Sequence, residues 1–429
     1  MIRVRRMALG CSGLAVIGLL SASPASSMPN FARKTGQECS MCHTAIPKLN
    51  RYGYEYRSAG YRDASDIGTQ DEAANLGHLF SARIQAQALY NRHDDVNDAK
   101  DSDSNNLNFF EATLYPLTGS WGKRYGSIVE LSMAPDDVFE IENAFVRAVW
   151  GGISGWFQAR IGVMHPWEGA GASDRPLGIS RPLIQRSVAI GSPFFLWNVD
   201  ETAAEVGYHS AKSGTSVSAR VSNGILWKED GSGVAEPAQG GALTKPQNEP
   251  GADSKNFQAF FNQYVKGESA VSLYYYYGTV PFPDPNYSAT TTTTRDKFQR
   301  LAAYANAWVV PEKLDVLAGV GYGHDSLKDN SVASSDSKYV GTRVGDSVGF
   351  FGEVDYHRSE QLAFGGRFDQ FDPSDKVDHN SATSGAVFAN YALYNGLQFV
   401  GEYQHREAEQ SAGGKNKDDV ATLRMIFIW

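Results

Sequence analysis

The sequence predicts an all-β transmembrane barrel of about sixteen antiparallel strands, preceded by a small helical N-terminal segment. Three observations carry that prediction. Apolar and polar residues alternate with a period of two in segments of about ten, short and long connections succeed one another, and the last segment ends on an aromatic residue.

In "GHLFSARIQAQALY", Phe80, Ala82, Ile84, Ala86, Ala88 and Tyr90 share one face while Ser81, Arg83, Gln85 and Gln87 share the other. The same division recurs in "FQARIGVM", where Gln158 and Arg160 oppose Phe157, Ala159, Ile161 and Val163, and in "SVSARVSN", where Arg220 opposes Val217, Ala219 and Val221. A strand with lipid on one side and a wet lumen on the other needs this pattern. A soluble β-sandwich also alternates, so the connections decide. Beyond residue 75 no apolar run approaches the ~20 residues of a membrane helix.

Strands are predicted at 78–90, 107–117, 125–133, 138–150, 156–164, 201–209, 215–224, 256–265, 269–278, 297–309, 314–323, 346–357, 361–369, 383–393, 397–406 and 419–429. Every second connection is short: 119–124, 151–155, 210–214, 266–269, 311–313, 358–360 and 394–396. The others are mostly longer and polar, as in "NRHDDVNDAKDSDSNN". Tight periplasmic turns and large outer loops give bacterial outer-membrane barrels this rhythm. Trp121, Trp150 and Trp156 fall near short turns, where an aromatic girdle is expected, and "LRMIFIW" places Leu423, Met425, Phe427 and Trp429 on one face of a closing strand.

Residues 1–27 read as a secretory signal peptide, with Arg3, Arg5 and Arg6 ahead of an apolar stretch and small residues at Ala25, Ser26 and Ser27. Lipidation at Cys11 is the rival, but the apolar stretch mostly follows that cysteine. Loss of the three arginines takes the formal charge from −9 to −12, which excludes nucleic acid and acidic lipid surfaces as partners. Residues 28–72 form the N-terminal segment and 76–429 the barrel.

The segment holds Cys39 and Cys42, the two cysteines that remain once the signal is removed, within "CSMCH". Cys-x-x-Cys-His reads as covalent attachment of one haem c: two thiols bond two vinyl groups, and His43 supplies the proximal imidazole to the iron. A redox-active pair or a plain disulfide is the rival, though neither requires His43. A zinc site needs more ligands than this cluster offers. About forty residues is a size at which a chain needs a crosslink, a metal or a partner. The segment is therefore expected to dock in or against the lumen, with Phe31, Ile46, Leu49, Tyr52, Tyr54, Tyr56 and Tyr61 lining the haem.

"MPNFARKTGQECSMCHTAIPKLNRYGYEYRSAGYR" followed by such a barrel resembles the outer-membrane fused cytochrome-porins of iron-oxidising bacteria. The specific match covers roughly residues 28–62, through the Phe-Ala-Arg lead, the haem motif, Pro47, Gly60 and Tyr61; beyond it only the architecture matches. The resemblance implies an outer-membrane protein whose single haem takes electrons from extracellular ferrous iron and passes them to a periplasmic electron-carrier protein. It would make the chain an electron-transfer oxidoreductase surrounded by outer-membrane lipid, with its haem segment at the periplasmic side or within the lumen.

Methionine as sixth ligand raises a haem potential, which suits a weak donor such as ferrous iron. His78, Met164 and His165 are the candidates; Met41 lies inside the attachment turn, and Met425 faces lipid. Arg175, Arg181 and Arg186 lie in a loop that either folds inward as a constriction or meets outer lipopolysaccharide. Asp94, Asp95, Asp98, Asp101 and Asp103 form either a ferrous-gathering patch or a solvated acidic loop. The functional alternatives are a diffusion porin with a periplasmic haem appendage and an electron conduit for a different donor or acceptor.

Overall fold

The computed structural model describes residues 29–69, 75–94, 102–134, 140–165, 177–186, 201–223, 227–229, 235–237, 255–281, 295–325, 346–375, 378–393, 396–409 and 414–429. Sixteen long strands close into one antiparallel barrel. They are β1 (Ser81–Asp94), β2 (Ser102–Tyr115), β3 (Tyr125–Met133), β4 (Glu140–Gly152), β5 (Gly155–Met164), β6 (Glu201–Ser210), β7 (Thr215–Ser222) and β8 (Asn256–Lys266). The circuit continues through β9 (Ser269–Pro281), β10 (Arg295–Val310), β11 (Leu314–Asp325), β12 (Ser347–His357), β13 (Leu362–Asp372), β14 (Ala382–Leu393), β15 (Leu397–Glu409) and β16 (Lys415–Ile428). β16 closes on β1, with Met425 opposite Ala86 and Leu423 opposite Ala88. Gly119–Trp121 adds a short pairing beside the start of β3, where β2 leaves the wall.

The wall is apolar outside and charged inside. Along β12 the exposed residues include Val348, Phe350, Val354 and Tyr356, whereas Glu353, Asp355 and His357 are buried. A water-soluble sandwich reverses that arrangement, so this inversion is what assigns the outer face to lipid. Inward charges are matched: Arg160 grips Glu205 through two bonds of 2.8 Å, Arg220 reaches the same carboxylate at 3.0 Å, and Arg367 meets Asp369 at 2.9 Å. Such pairing offsets the desolvation of each ion. Among the described residues no helix is long and apolar enough to cross a membrane.

All sixteen predicted strands form, several of them longer than the apolar pattern suggested. β2 begins at Ser102 instead of 107 and β16 at Lys415 instead of 419. Those extra residues are polar and lie at the long-loop end, where the ladder continues beyond the apolar band and needs no lipid-facing side chains. At the other end, residues 76–79 form a short helix and the first strand starts at Ser81. Trp156 departs from the girdle expectation: it is fully buried, with its ring 4.4 Å from that of His209, while Trp150 stays exposed. The predicted signal and the Cys11 alternative lie outside the described residues.

The N-terminal segment contains α1 (Pro29–Thr35) and α2 (Arg51–Ser58), with α3 (Leu76–Leu79) leading into the barrel. Its contacts run around the short-turn end of the wall. Arg62 donates to the Gly122 carbonyl at 3.0 Å, and Arg147 of β4 donates to the Arg57 carbonyl. Arg51 donates to the Ala211 carbonyl at 2.9 Å and, through its backbone, to Glu268. Lys48 pairs with Asp315 and Asp355, and the Ile46 carbonyl accepts from Asn390 at 2.8 Å and from Gln398 at 3.1 Å. A Cβ on Gly126 of β3 would overlap the Gly60 backbone, so glycine there permits wall and segment to touch.

Residues 177–186 also lie inside the barrel, as one of the two readings of the arginine-bearing loop anticipated. Leu183 and Ile184, on α4 (Leu183–Arg186), pack among Tyr274, Tyr276, Tyr304, Phe351 and Phe371. Arg367 holds the Ser180 carbonyl at 2.8 Å, Glu402 accepts from the Ser180 amide at 2.9 Å, and Asp369 accepts from the Leu183 amide at 3.0 Å. Arg181 is half-buried, while Arg175 lies outside the described residues.

Candidate haem-attachment site

Cys39–Met41 form one turn of 3-10 helix, closed by the Cys42 amide on the Cys39 carbonyl at 3.1 Å. His43–Ala45 then pairs with Lys48–Leu49 in a minimal hairpin through a cis Ile46–Pro47 bond. Asn50 joins the turn to α2. Its side chain accepts from the Gly53 amide at 2.8 Å and donates to the Met41 carbonyl at 3.0 Å, while its backbone amide donates to the Cys42 carbonyl at 2.9 Å. That is an N-cap whose amide group also fixes the attachment turn. A Cβ at Gly53 would overlap the Cys42 carbonyl oxygen, so the turn sits directly on the helix backbone.

His43 has its Nδ1 3.1 Å from the Pro47 carbonyl. A carbonyl only accepts, so Nδ1 carries the proton and the ring's lone pair lies on Nε2, the tautomer that iron requires. Burial pushes the imidazole down to about 4, which keeps it neutral at physiological pH. Burial, together with the charges of Cys39 and Asp63, pushes the Cys42 thiol up to about 11. A reactive Cys-x-x-Cys needs the opposite shift, and both cysteines are free thiols. Two thiols and a neutral imidazole in this arrangement are a donor set that fits covalent haem.

Beside the turn, the Phe31 and Tyr61 rings stack at 5.3 Å, Phe31 meets Tyr56 edge-on at 5.9 Å, and Tyr52 lies 6.2 Å from Tyr56. Of the seven residues expected to line the haem, these four gather into one cluster. Tyr54 instead packs on Tyr264 of β8, and Ile46 is held against β14 and β15 through its carbonyl.

The three sixth-ligand candidates separate. Met164, at the end of β5, is fully buried in the cluster that contains Phe31, Tyr52, Tyr56 and Tyr61. His165 is half-buried, and its carbonyl accepts from Arg220. His78 sits on α3, where its carbonyl accepts weakly from Asn30 at 3.4 Å. Of the acidic loop, Asp94 is paired with Arg92 at 3.0 Å and Asp103 lies on β2, whereas Asp95, Asp98 and Asp101 lie outside the described residues.

Sequence reasoning missed Asp315, Asp355 and His357. Among the described residues these form the one histidine and carboxylate group close enough to hold a metal ion. The Lys48 ammonium already lies against both carboxylates. Asp315 and Asp355 are register partners on the paired strands β11 and β12, and Lys48 reaches them from the N-terminal segment, so no local signal announced the group.

No family model and no curated protein matches this chain. Solved structures do. The outer membrane channel DcaP of Acinetobacter baumannii superposes with a TM-score of 0.53 at 12% identity, covering 82% of this chain and 96% of that one. OprB of Pseudomonas putida gives 0.51 at 12% identity, with 82% and 94% covered. An anion-selective porin from Comamonas acidovorans gives 0.51 at 10% identity, with 81% and 98% covered. The barrel has the porin fold. At such identities the likeness extends to architecture alone.

Proposed function

We propose that this protein is an outer-membrane monohaem c-type cytochrome built into a porin-fold barrel, which takes electrons from extracellular ferrous iron and passes them to a periplasmic carrier. The observation that carries the reading is the Cys39-x-x-Cys42-His43 turn, with the His43 tautomer set by Pro47, inside a segment that packs around the barrel mouth. Cys39 and Cys42 would hold haem c by two thioethers, each thiol adding across one vinyl group, and His43 would hold the iron through Nε2. Bound there, haem c supplies a one-electron Fe(III)/Fe(II) couple.

The chain's own residues position and insulate that couple. Asn50 and Gly53 fix the attachment turn on α2, and Pro47 orients the imidazole. Phe31, Tyr52, Tyr56 and Tyr61 exclude water on one side. Met164 is the sixth-ligand candidate best supported, because it shares their cluster. Each ferrous ion gives up one electron and stays outside as ferric iron, so nothing that precipitates need cross the membrane.

The test is to mix purified, oxidised protein with ferrous iron and follow the visible haem bands. Reduction across the working pH range supports the iron reading. Bands that stay oxidised with iron yet respond to another donor promote a conduit of different specificity.

The porin likeness favours a second reading, a diffusion porin with a haem appendage. The lumen speaks for the first: residues 29–69 pack at the short-turn mouth, residues 177–186 lie within, and Asn390 donates to both through Ile46 and Leu177. Planar-bilayer conductance separates them. A filled lumen passes little current.

A further inference from the structure

The formal charge of the chain is −9, yet its short-turn face is not uniformly acidic. From β2 round to β9 the turns carry exposed Lys123, Lys212 and Lys266, with half-buried Arg124 beside the first. The turn between β4 and β5 adds no charge and presents Ile153, 74% exposed. The one acid on these turns, Glu268, is half-buried and accepts from the Arg51 amide. The other half of the rim differs. There Glu312 stands next to Lys313, and Glu360 lies two residues from Arg358, all of them exposed.

The helix that follows the attachment turn begins at the basic half. Arg51 is bonded to Ala211 and Glu268, the immediate neighbours of Lys212 and of the turn that holds Lys266. The preceding residue, Asn50, holds the Met41 carbonyl, and the Met41 side chain, between the two cysteines, is 45% exposed. One exposed acid, Glu38, flanks it. An apolar contact point bordered by lysines of one sign is how a surface captures an oppositely charged partner quickly and releases it quickly: the rim charges raise the encounter rate, and the small apolar area keeps residence short.

We infer that the sector formed by Lys123, Lys212 and Lys266, around exposed Met41 and Ile153, is the docking surface for a small periplasmic redox protein with an acidic face. This rests on the electron-transfer reading above. The occupant follows from charge: an acidic surface is attracted to this sector, and its electron would leave beside the attachment turn. A basic carrier would be repelled here and would find no net attraction at the mixed half of the rim.

The test uses the full-length protein in zwitterionic nanodiscs. Two probes are titrated against it, a small soluble c-type cytochrome with an acidic face and one with a basic face. The acidic probe should bind more tightly, and raising salt from about 20 to about 200 mM should weaken it severalfold. Lys212→Glu with Lys266→Glu should weaken the acidic probe about tenfold or more, whereas Lys313→Glu on the mixed half should change it less than about twofold. Equal affinity for both probes, or an indifferent double variant, overturns the proposal. So does a double variant that keeps its affinity for the acidic probe but retains less phosphatidylglycerol when anionic nanodiscs are used, since the lysines then serve lipid headgroups. Haem staining and reduction by ferrous iron are read in the same samples. Normal reduction with indifferent probe binding sinks the docking surface alone, whereas a colourless or irreducible protein sinks the reading on which it rests.

Discussion

Replacing Lys48 with methionine should release residues 29–69 from the far wall of the barrel. The Lys48 side chain is 93% buried, and its ammonium faces Asp315 and Asp355, whose side chains are fully buried, with Asp355 at 3.2 Å. Its attraction to one carboxylate at that distance is about 5 kcal/mol at an effective dielectric of ~20. Methionine keeps most of the volume, so packing changes by less than ~1.5 kcal/mol. The larger effect is two carboxylates left without their cation, and breaking a buried pair in this way costs about 3–5 kcal/mol. That corresponds to a roughly hundred- to several-thousandfold shift toward the undocked segment. Limited proteolysis of the folded protein in detergent reads this directly, because cleavage follows the open population when reclosing is fast. Heat-modified gel mobility confirms that the barrel itself is intact. Combining Lys48→Met with Asp315→Asn and Asp355→Asn removes the stranded charges and should restore most of the protection. If Lys48→Met is cleaved no faster than the unmodified protein, or if the triple variant is as exposed as the single one, the pair does not anchor the segment.

Cys39→Ala with Cys42→Ala should abolish haem staining while leaving a heat-modifiable, membrane-inserted barrel, since the closing β16–β1 ladder involves neither residue. Met164→Ala should leave staining unchanged but shift the oxidised spectrum and lower the reduction potential if its sulfur binds the iron; an unaltered spectrum returns the role to His165 or His78. In haem-free protein, His43 titrates near 4 when folded and near 6.5 when free. The unfolded segment therefore binds more protons between those values, and docking loses stability as pH falls through that window. Proteolytic protection of residues 29–69 measured from pH 7 to pH 4 should decline accordingly, and a His43→Phe variant should decline less.

The wall was legible because each of its strands meets two solvents. Alternation such as that of Phe157, Gln158, Ala159 and Arg160 is a local property with a period of two, and no tertiary contact is needed to see it. The Cys39-x-x-Cys42-His43 motif is local in the same way, five residues that start in one turn of 3-10 helix, so the sequence shows the pattern without any tertiary contact. Trp156 misled because tryptophan near a turn suits either a girdle or a buried stack, and the choice depends on His209, more than fifty residues away. Lys48 reads as an ordinary lysine in "IPKLN", and its importance depends on partners 267 and 307 positions further along. Met164 could be named but not preferred, because Phe31, Tyr52, Tyr56 and Tyr61, which share its cluster, come from the N-terminal segment.

Asn390 bears on the choice between a channel and an electron carrier. Its side-chain nitrogen lies 2.8 Å from the Ile46 carbonyl and 3.1 Å from that of Leu177, and its oxygen accepts from Gln398 at 3.0 Å. One buried amide thus joins the haem-motif hairpin, the inward loop and two wall strands. Ala45 and Leu177 share an apolar cluster with Ala363 and Phe388 at the same level. Opening a solute path there means breaking those bonds in a low-dielectric interior, where an orphaned buried polar group costs about 1–3 kcal/mol, as well as separating the apolar contacts. In the electron carrier proposed above, the same contacts would serve as both the mounting and the seal.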